Sequence, residues 1–377
     1  MSLTPSSFVI LGAGLMGRLL AVELAARGHD VSIYDAGGPD AERSAARVAA
    51  AMLAPLAESA VTEPCVVRMG HYALTRWPQL LGALKNPVFF QQSGTLVVWH
   101  RQDAPDARRL TKQLEASQRL MPELPAMQVL DSNTLATAEP SLDGRFSNGL
   151  LLPGEGQLDN RQLLSALAVQ MTHLQVRVHW NAPRSPQEFA PGQPGEPDWV
   201  IDCRGLGSRT TWKTLRGVRG EVLRIHAPGV TLRRPVRLVH PRYPLYIAPK
   251  QDSVFVIGAT EIESDDMSPV SVRSTLELLS AAYAVHPGFA EGRVVEMAAQ
   301  CRPTLPDNLP TIRQVSTRVL EINGLYRHGF MISPALLDMA LEVLATGQSA
   351  LSTRLGLTLD LRATDMTEPM SALSTTT

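Results

Sequence analysis

The sequence predicts an α/β fold in two parts: a discontinuous, doubly wound domain on parallel strands, and an inserted antiparallel-sheet α+β domain. Three observations predict it. The chain opens on an apolar strand, a glycine-rich turn, a helix and a second strand, all before residue 36. Far downstream, Trp199-Val-Ile-Asp-Cys-Arg-Gly-Leu-Gly-Ser208 is another apolar strand ending in glycines, placed to extend the same sheet. Between such pieces lie two blocks whose short runs read as antiparallel strands with helices.

The opening unit carries the strongest signal. Phe8 to Leu11 is a continuous apolar run, as a buried parallel strand requires. Leu15, Leu19, Leu20, Val22 and Leu24 recur at helical spacing, and Gly28 closes that helix. Val31 and Ile33 then alternate into a strand ending at Asp35. Gly12-x-Gly14-x-x-Gly17 sits between strand and helix. Gly12 permits the tight turn, Gly14 lets a pyrophosphate approach the backbone, and Gly17 lets the helix close on the strand. The helix N-terminus offers amides to phosphate, and Asp35 is placed for ribose hydroxyls. Strand, turn, helix and acid agree on a Rossmann-like dinucleotide site, and the carboxylate disfavours the 2′-phosphate of NADP. The fingerprint alone leaves NAD and FAD open.

The following elements are read in order. Arg43 to Pro55 is rich in small residues. That composition suits backbone lying close to a flat ligand, although on composition alone a tightly packed alanine helix is favoured. Residues 66–84 predict a helix carrying Tyr72, Leu74 and Trp77; 88–98 two strands broken near Gly94; 106–121 a polar amphipathic helix. Residues 148–160 are a turn-rich strand region, 161–173 a helix, and Val176 with Val178 a strand. The Pro- and Gly-rich 183–197 segment is a surface loop. Residues 217–225, 235–239, 245–248 and 253–259 read as antiparallel strands and 270–285 as a helix. Residues 321–334 lead into a helix reaching about Leu344. The resulting division assigns 1–84, 146–215 and 296–360 to the dinucleotide domain, 85–145 and 216–295 to the inserted domain, and 361–377 to a flexible tail.

Composition excludes several classes. The formal net charge is -1, with no basic excess to attract nucleic acid and no charge run for a membrane surface. No stretch reaches the ~18 apolar residues of a membrane span, and no secretory signal opens the chain. The three isolated cysteines, Cys65, Cys203 and Cys301, indicate neither a disulfide framework nor a zinc site. The expectation is a soluble cytoplasmic protein.

Laid out in this way, the chain resembles the flavin-dependent D-amino-acid oxidase superfamily, and within it the glycine oxidases that serve thiamine biosynthesis. The resemblance runs from Phe8 to about Leu344. It is carried by Gly12-Ala-Gly-Leu-Met-Gly17 with Asp35, Ala49-Ala-Ala-Met-Leu53, Arg242-Tyr-Pro-Leu-Tyr-Ile-Ala-Pro249, Val256-Ile-Gly-Ala-Thr260, Cys301-Arg-Pro-Thr-Leu-Pro-Asp-Asn-Leu-Pro310 and Gly324-Leu-Tyr-Arg-His-Gly-Phe-Met331. It implies non-covalent FAD across Gly12, Gly14, Leu15, Met16 and Gly17, with Asp35 on the ribose. Ala45, Ala46, Ala50, Ala51 and Met52 would lie along the cofactor and backbone near Arg184 at the adenine. Leu325, Tyr326, Arg327, His328, Gly329, Phe330 and Met331 would pass the isoalloxazine. Arg302 would bind a substrate carboxylate, helped by Tyr246 and Arg327. One departure is Ala51, where related enzymes usually have glycine.

The implied chemistry is oxidation of a small amino acid, with hydride passing from Cα to the flavin and electrons on to oxygen. Such chemistry needs no catalytic acid or base near Cα; the protein holds the carboxylate, aims Cα and excludes water. Arginine suits the first task, because its planar fork meets a carboxylate bidentately. The residues taken singly have plainer explanations. Arg302 in a polar stretch reads as a surface ion pair or a stacked arginine, Tyr246 as a core tyrosine and Arg327 as a strand cap. His240 and His328 read as structural, and Cys301 as a buried, unreactive thiol rather than a flavin attachment point. The expected partners are a small amino acid and O2, with self-association left open. The rivals are an amino-acid dehydrogenase using a quinone or carrier, and a non-catalytic flavin-binding accessory protein.

Overall fold

A computed structural model describes residues 6–240 and 245–361. The expected tail, beyond residue 361, lies outside the described residues, as does the 242–244 part of one motif above.

Among the described residues six strands form a sheet in the order Thr311–Ser316, Val319–Asn323, Trp199–Asp202, Ser7–Leu11, Asp30–Tyr34 and Arg177–His179. All neighbours run parallel except the edge strand Thr311–Ser316. Phe8, Ile10, Leu20, Leu24 and Ile33 are buried in its core beneath the helices Leu15–Ala26 and Asn160–His173. Two further helices, Pro64–Gly82 and Gly329–Thr346, join the same core, and Trp77 Nε1 donates to the Phe330 carbonyl at 2.9 Å. The stretch Tyr326–Thr346 is apolar and long enough to cross a membrane, but it lies mostly buried in this core.

The second sheet is nine-stranded and centres on Arg216–His226. That strand pairs antiparallel with Val254–Gly258 and with the 12-residue strand Arg293–Thr304. Its side chains alternate between faces, as a strand's period of two dictates. Leu223 and Ile225 pack with Ile247, Phe255 and the helix Val272–Val285. Val222 points the other way, with Ala248, Val256 and Tyr246, against Ala50 and Met52. The sheet's inner face is thereby pressed onto the small-residue segment of the first domain.

Three differences from the sequence expectations bear on function. Within the alanine-rich segment the helix is confined to Ala45–Val48, and a separate short helix, Pro55–Glu58, starts at its end. Asn160 Nδ2 donates to the Ala46 and Arg47 carbonyls, and Lys250 Nζ to that of Ala50. These tertiary partners take the acceptors that a continuing helix would need. The strand Arg293–Thr304 has no counterpart among the expected elements; residue 296, the expected domain boundary, falls inside it. Asn148–Leu152, assigned to the dinucleotide domain, instead pairs with Thr95–Val98 and Gln128–Asp131 in the antiparallel sheet.

Candidate active site

A cavity of about 720 Å³ runs between the two sheets. At one end it begins on the glycine turn. Gly12 has φ +93, and a Cβ there would sit 2.7 Å from the Cys203 carbonyl oxygen. A Cβ on Gly17 would lie 1.9 Å from the Gly12 carbonyl oxygen, so the helix can approach the strand only with glycine at that position. Gly17 is the one predicted cofactor residue that does not line the cavity; its part is packing. Gly14 caps the helix without a side-chain hydrogen bond, which leaves the first amides open to a phosphate. Arg18 fixes the turn from behind. It is fully buried and donates to the carbonyls of Ala13, Leu164 and Pro39 at 2.6–2.8 Å. Asp35 accepts from the amides of Ala13 and Gly37, holding its carboxylate at the cavity wall beside Pro183 and Arg184.

The middle of the cavity is lined by Ala45, Ala46, Ala49, Ala50, Ala51 and Met52. Ala51 has φ +53, a backbone region that favours glycine. Lys250, buried below this segment, donates to the carbonyls of Ala50 and Leu158 and to Gln157 Oε1 at 2.7–3.0 Å. Neither Arg18 nor Lys250 stood out in the sequence. For Arg18 a lone basic residue in an apolar run was the only signal.

The far end is polar and cationic. Arg302 reaches it from Arg293–Thr304 and Tyr246 from the strand Leu245–Pro249. Leu325 to Met331, with the turn Tyr326–His328, supply another wall. Arg327 is already committed. Its Nε and Nη2 donate to Glu58 Oε2 at 3.0 and 2.6 Å, and Nη1 to Glu261 Oε2 at 2.7 Å. Glu58 also accepts from Arg237 Nη2 on Oε1 at 2.6 Å, and His328 Nε2 lies 3.1 Å from Oε2. Burial opposes the Glu58 charge, but Arg327 and Arg237 outweigh it and hold the carboxyl well below the usual range.

Arg302 differs. Its Nη1 and Nη2 meet only the carbonyls of Arg219 and Thr260, at 3.4 and 3.2 Å, and it forms no ion pair among the described residues. Burial draws its pKa below the ordinary arginine value, against the opposing pull of Tyr246 and Glu261. The expected surface ion pair is absent there because the strand turns Arg302 into the cavity. Tyr246 lines the same space, its phenol pKa raised by burial. Cys301 faces the carbonyls of Ser264 and Asp266 at 3.4 and 3.5 Å, and burial raises its thiol pKa. The acids Glu58 and Glu261 and the base Arg237 were missed in the sequence; an acid closing the apolar run Leu53 to Glu58 was their only trace.

A glycine cradle, open helix amides and a carboxylate at the end of the second strand fit the pyrophosphate and ribose of a dinucleotide. The cavity continues past them to a second, cationic end, which fits a cofactor longer than its adenosine half. Together they define a dinucleotide-dependent oxidoreductase. Comparison with known proteins makes this specific. The sequence pattern of the family "FAD dependent oxidoreductase" matches residues 7–339, and the chain belongs to that family. It carries FAD. It is 38% identical to the thiamine biosynthesis oxidoreductase ThiO of Rhizobium etli, over 90% of this chain and 97% of that protein. It is 24% identical to the bifunctional protein ThiO/ThiG of Synechocystis, over 88% of this chain but 50% of that one. The crystal structure of glycine oxidase from Geobacillus kaustophilus has the same fold, with TM-score 0.76, 21% identity, and coverage of 94% of this chain and 99% of that one.

Proposed function

We propose that this chain is an amino-acid oxidase that converts glycine, or a related small substrate such as sarcosine or a small D-amino acid, into the imine. Hydrolysis of the imine gives the 2-oxo acid and ammonia. The two electrons and two protons removed reduce O2 to H2O2. In the cell the imine serves thiazole formation in thiamine biosynthesis, in keeping with the ThiO relatives, and the three unpaired cysteines suit a reducing cytoplasm.

The observation that carries this reading is Arg302, a guanidinium turned into the cavity with carbonyl neighbours and no carboxylate. It has the fork geometry to take one carboxylate, with Tyr246 beside it. Bound FAD supplies the two-electron acceptor. The residues do the rest: Gly12 to Gly17, Asp35 and the Ala45–Met52 segment hold the cofactor, and Arg302 anchors the acid group. The wall from Leu325 to Met331 closes the space and keeps water out. No side chain is assigned a proton-transfer role, since His328 is bonded to Glu58.

The test is direct. Purified holoprotein mixed with glycine without oxygen should lose the visible absorbance of its oxidised flavin. Admitting air should restore the colour and yield peroxide. Slow recovery in air would mark a dehydrogenase that uses another acceptor. Failure of every small amino acid to bleach the protein would sink the oxidase reading.

A further inference from the structure

The cationic end of the cavity contains more than the carboxylate anchor. Among the described residues it is lined by three guanidiniums, Arg237, Arg302 and Arg327, and two carboxylates, Glu58 and Glu261. One positive charge is left over, and the ion pairs locate it: Arg237 and Arg327 share Glu58, Arg327 also holds Glu261, and Arg302 stands alone. Glu261 is therefore what neutralises the outward nitrogen of Arg327. It is held there on both oxygens. Tyr326 donates its phenol to Oε1 and Arg327 donates to Oε2 at 2.7 Å. Tyr326 keeps φ +49, a costly backbone state for a tyrosine, in the arrangement that brings its phenol to Glu261. Glu261 follows Thr260, whose carbonyl accepts from Arg302, so the loop that carries the specificity group also touches the anchor on its strand.

We infer that Glu261 sets the charge class of the substrate: it occupies Arg327 and repels a second acid group, restricting the cavity to monocarboxylates. The inference rests on Arg302 as the carboxylate anchor. Glu261 is 41% exposed and Arg327 20% exposed at the side chain, so a solute in the cavity reaches both. Glu58 does not take over this task, because it is buried among Arg237, Arg327 and His328. Without the Glu261 charge, Arg327 Nη1 keeps at most a neutral partner on that side, in the same cavity as Arg302. Two separated guanidinium donors then face the ligand, which is the arrangement a dicarboxylate needs.

Calorimetry on the FAD-loaded enzyme tests this with acetate, malonate and succinate. Wild type should bind acetate at least as tightly as either diacid. Glu261→Gln should tighten malonate or succinate relative to acetate at least tenfold, whereas Glu261→Asp, which keeps the charge, should retain the wild-type preference. Wild type preferring a diacid, or Glu261→Gln showing no relative gain, overturns the role of Glu261. An equal gain in Glu261→Asp overturns it too, since charge would not be the cause. Should Glu261→Gln not fold, Glu261→Ala takes its place with the same expected gain, and a wild-type preference for a diacid overturns the role without either variant. Arg302→Ala separates the two levels: acetate binding that persists there sinks the anchor itself. Loss of acetate in that variant with no diacid gain in Glu261→Gln sinks Glu261 alone.

Discussion

The guanidinium of Arg302 lies over the backbone of Gly220, so close that a Cβ at residue 220 would sit 2.2 Å from Nη2. Gly220 lies on the central strand Arg216–His226, opposite Gln300 in the register that also places Arg302. The obstructed atom is the far end of a flexible side chain, so Gly220→Ala should fold and simply push the guanidinium aside. The expected result is a rise in substrate KM of roughly tenfold to a hundredfold, about 1.4–2.7 kcal/mol, with FAD content and Tm close to wild type. Unchanged KM would mean that Arg302 is not aligned by this strand.

Arg302→Ala should raise KM further. Removing one partner of a desolvated charge pair costs about 2–5 kcal/mol, or roughly 30-fold to several-thousand-fold. Arg302→Lys should recover only part of this, because an ammonium cannot reproduce the planar fork. Steady-state kinetics with flavin absorbance as a loading control checks it. If flavin is lost instead, Arg302 holds the cofactor region and its role is misassigned.

Legibility in the sequence followed the range of the forces involved. Gly12, Gly17 and Asp35 were readable because a close backbone approach at one turn dictates each residue type. The alanine segment misled because its helix propensity yields to distant donors on Asn160 and Lys250. The strand Arg293–Thr304 was missed because Ala298, Ala299 and Pro303 lack strand propensity; it exists through its long pairing with Arg216–His226. Arg302 therefore read as a surface residue, and only the family resemblance pointed inward. Glu58 and Arg327 stand 269 residues apart, so their ion pair has no local signature.

Glu155 should make stability depend on pH. It is buried, accepts from the Ala57 amide at 2.7 Å, and among the described residues leaves Oε2 without a hydrogen-bond partner. Burial raises its pKa to about 7 from the ordinary 4.5. Between those values the folded state binds more protons than the unfolded chain, so stability falls as pH rises through about 4.5–7 and levels off above. The full effect is on the order of 3 kcal/mol. Glu155→Gln keeps the shape and removes the titration, so its Tm advantage over wild type should grow from pH 5 to pH 8. An advantage that does not change with pH would show that Glu155 is charged throughout.

Ala51 offers the last test, on stability and on substrate size together. Its φ of +53 costs an L-residue about 1–2 kcal/mol that glycine avoids. Glycine also frees the unfolded chain, which returns about 0.4–1 kcal/mol of that gain. Ala51→Gly should therefore be neutral to mildly stabilising, with Tm up by about 1–2 °C. Ala51 also lines the cavity, and removing a methyl group widens it. The ratio of kcat/KM for D-alanine over glycine should then rise by about tenfold, the order one methylene is worth in an apolar pocket. A lower Tm would mean that the Ala51 side chain contributes packing that outweighs its backbone strain; an unchanged ratio would place its methyl group away from the bound substrate.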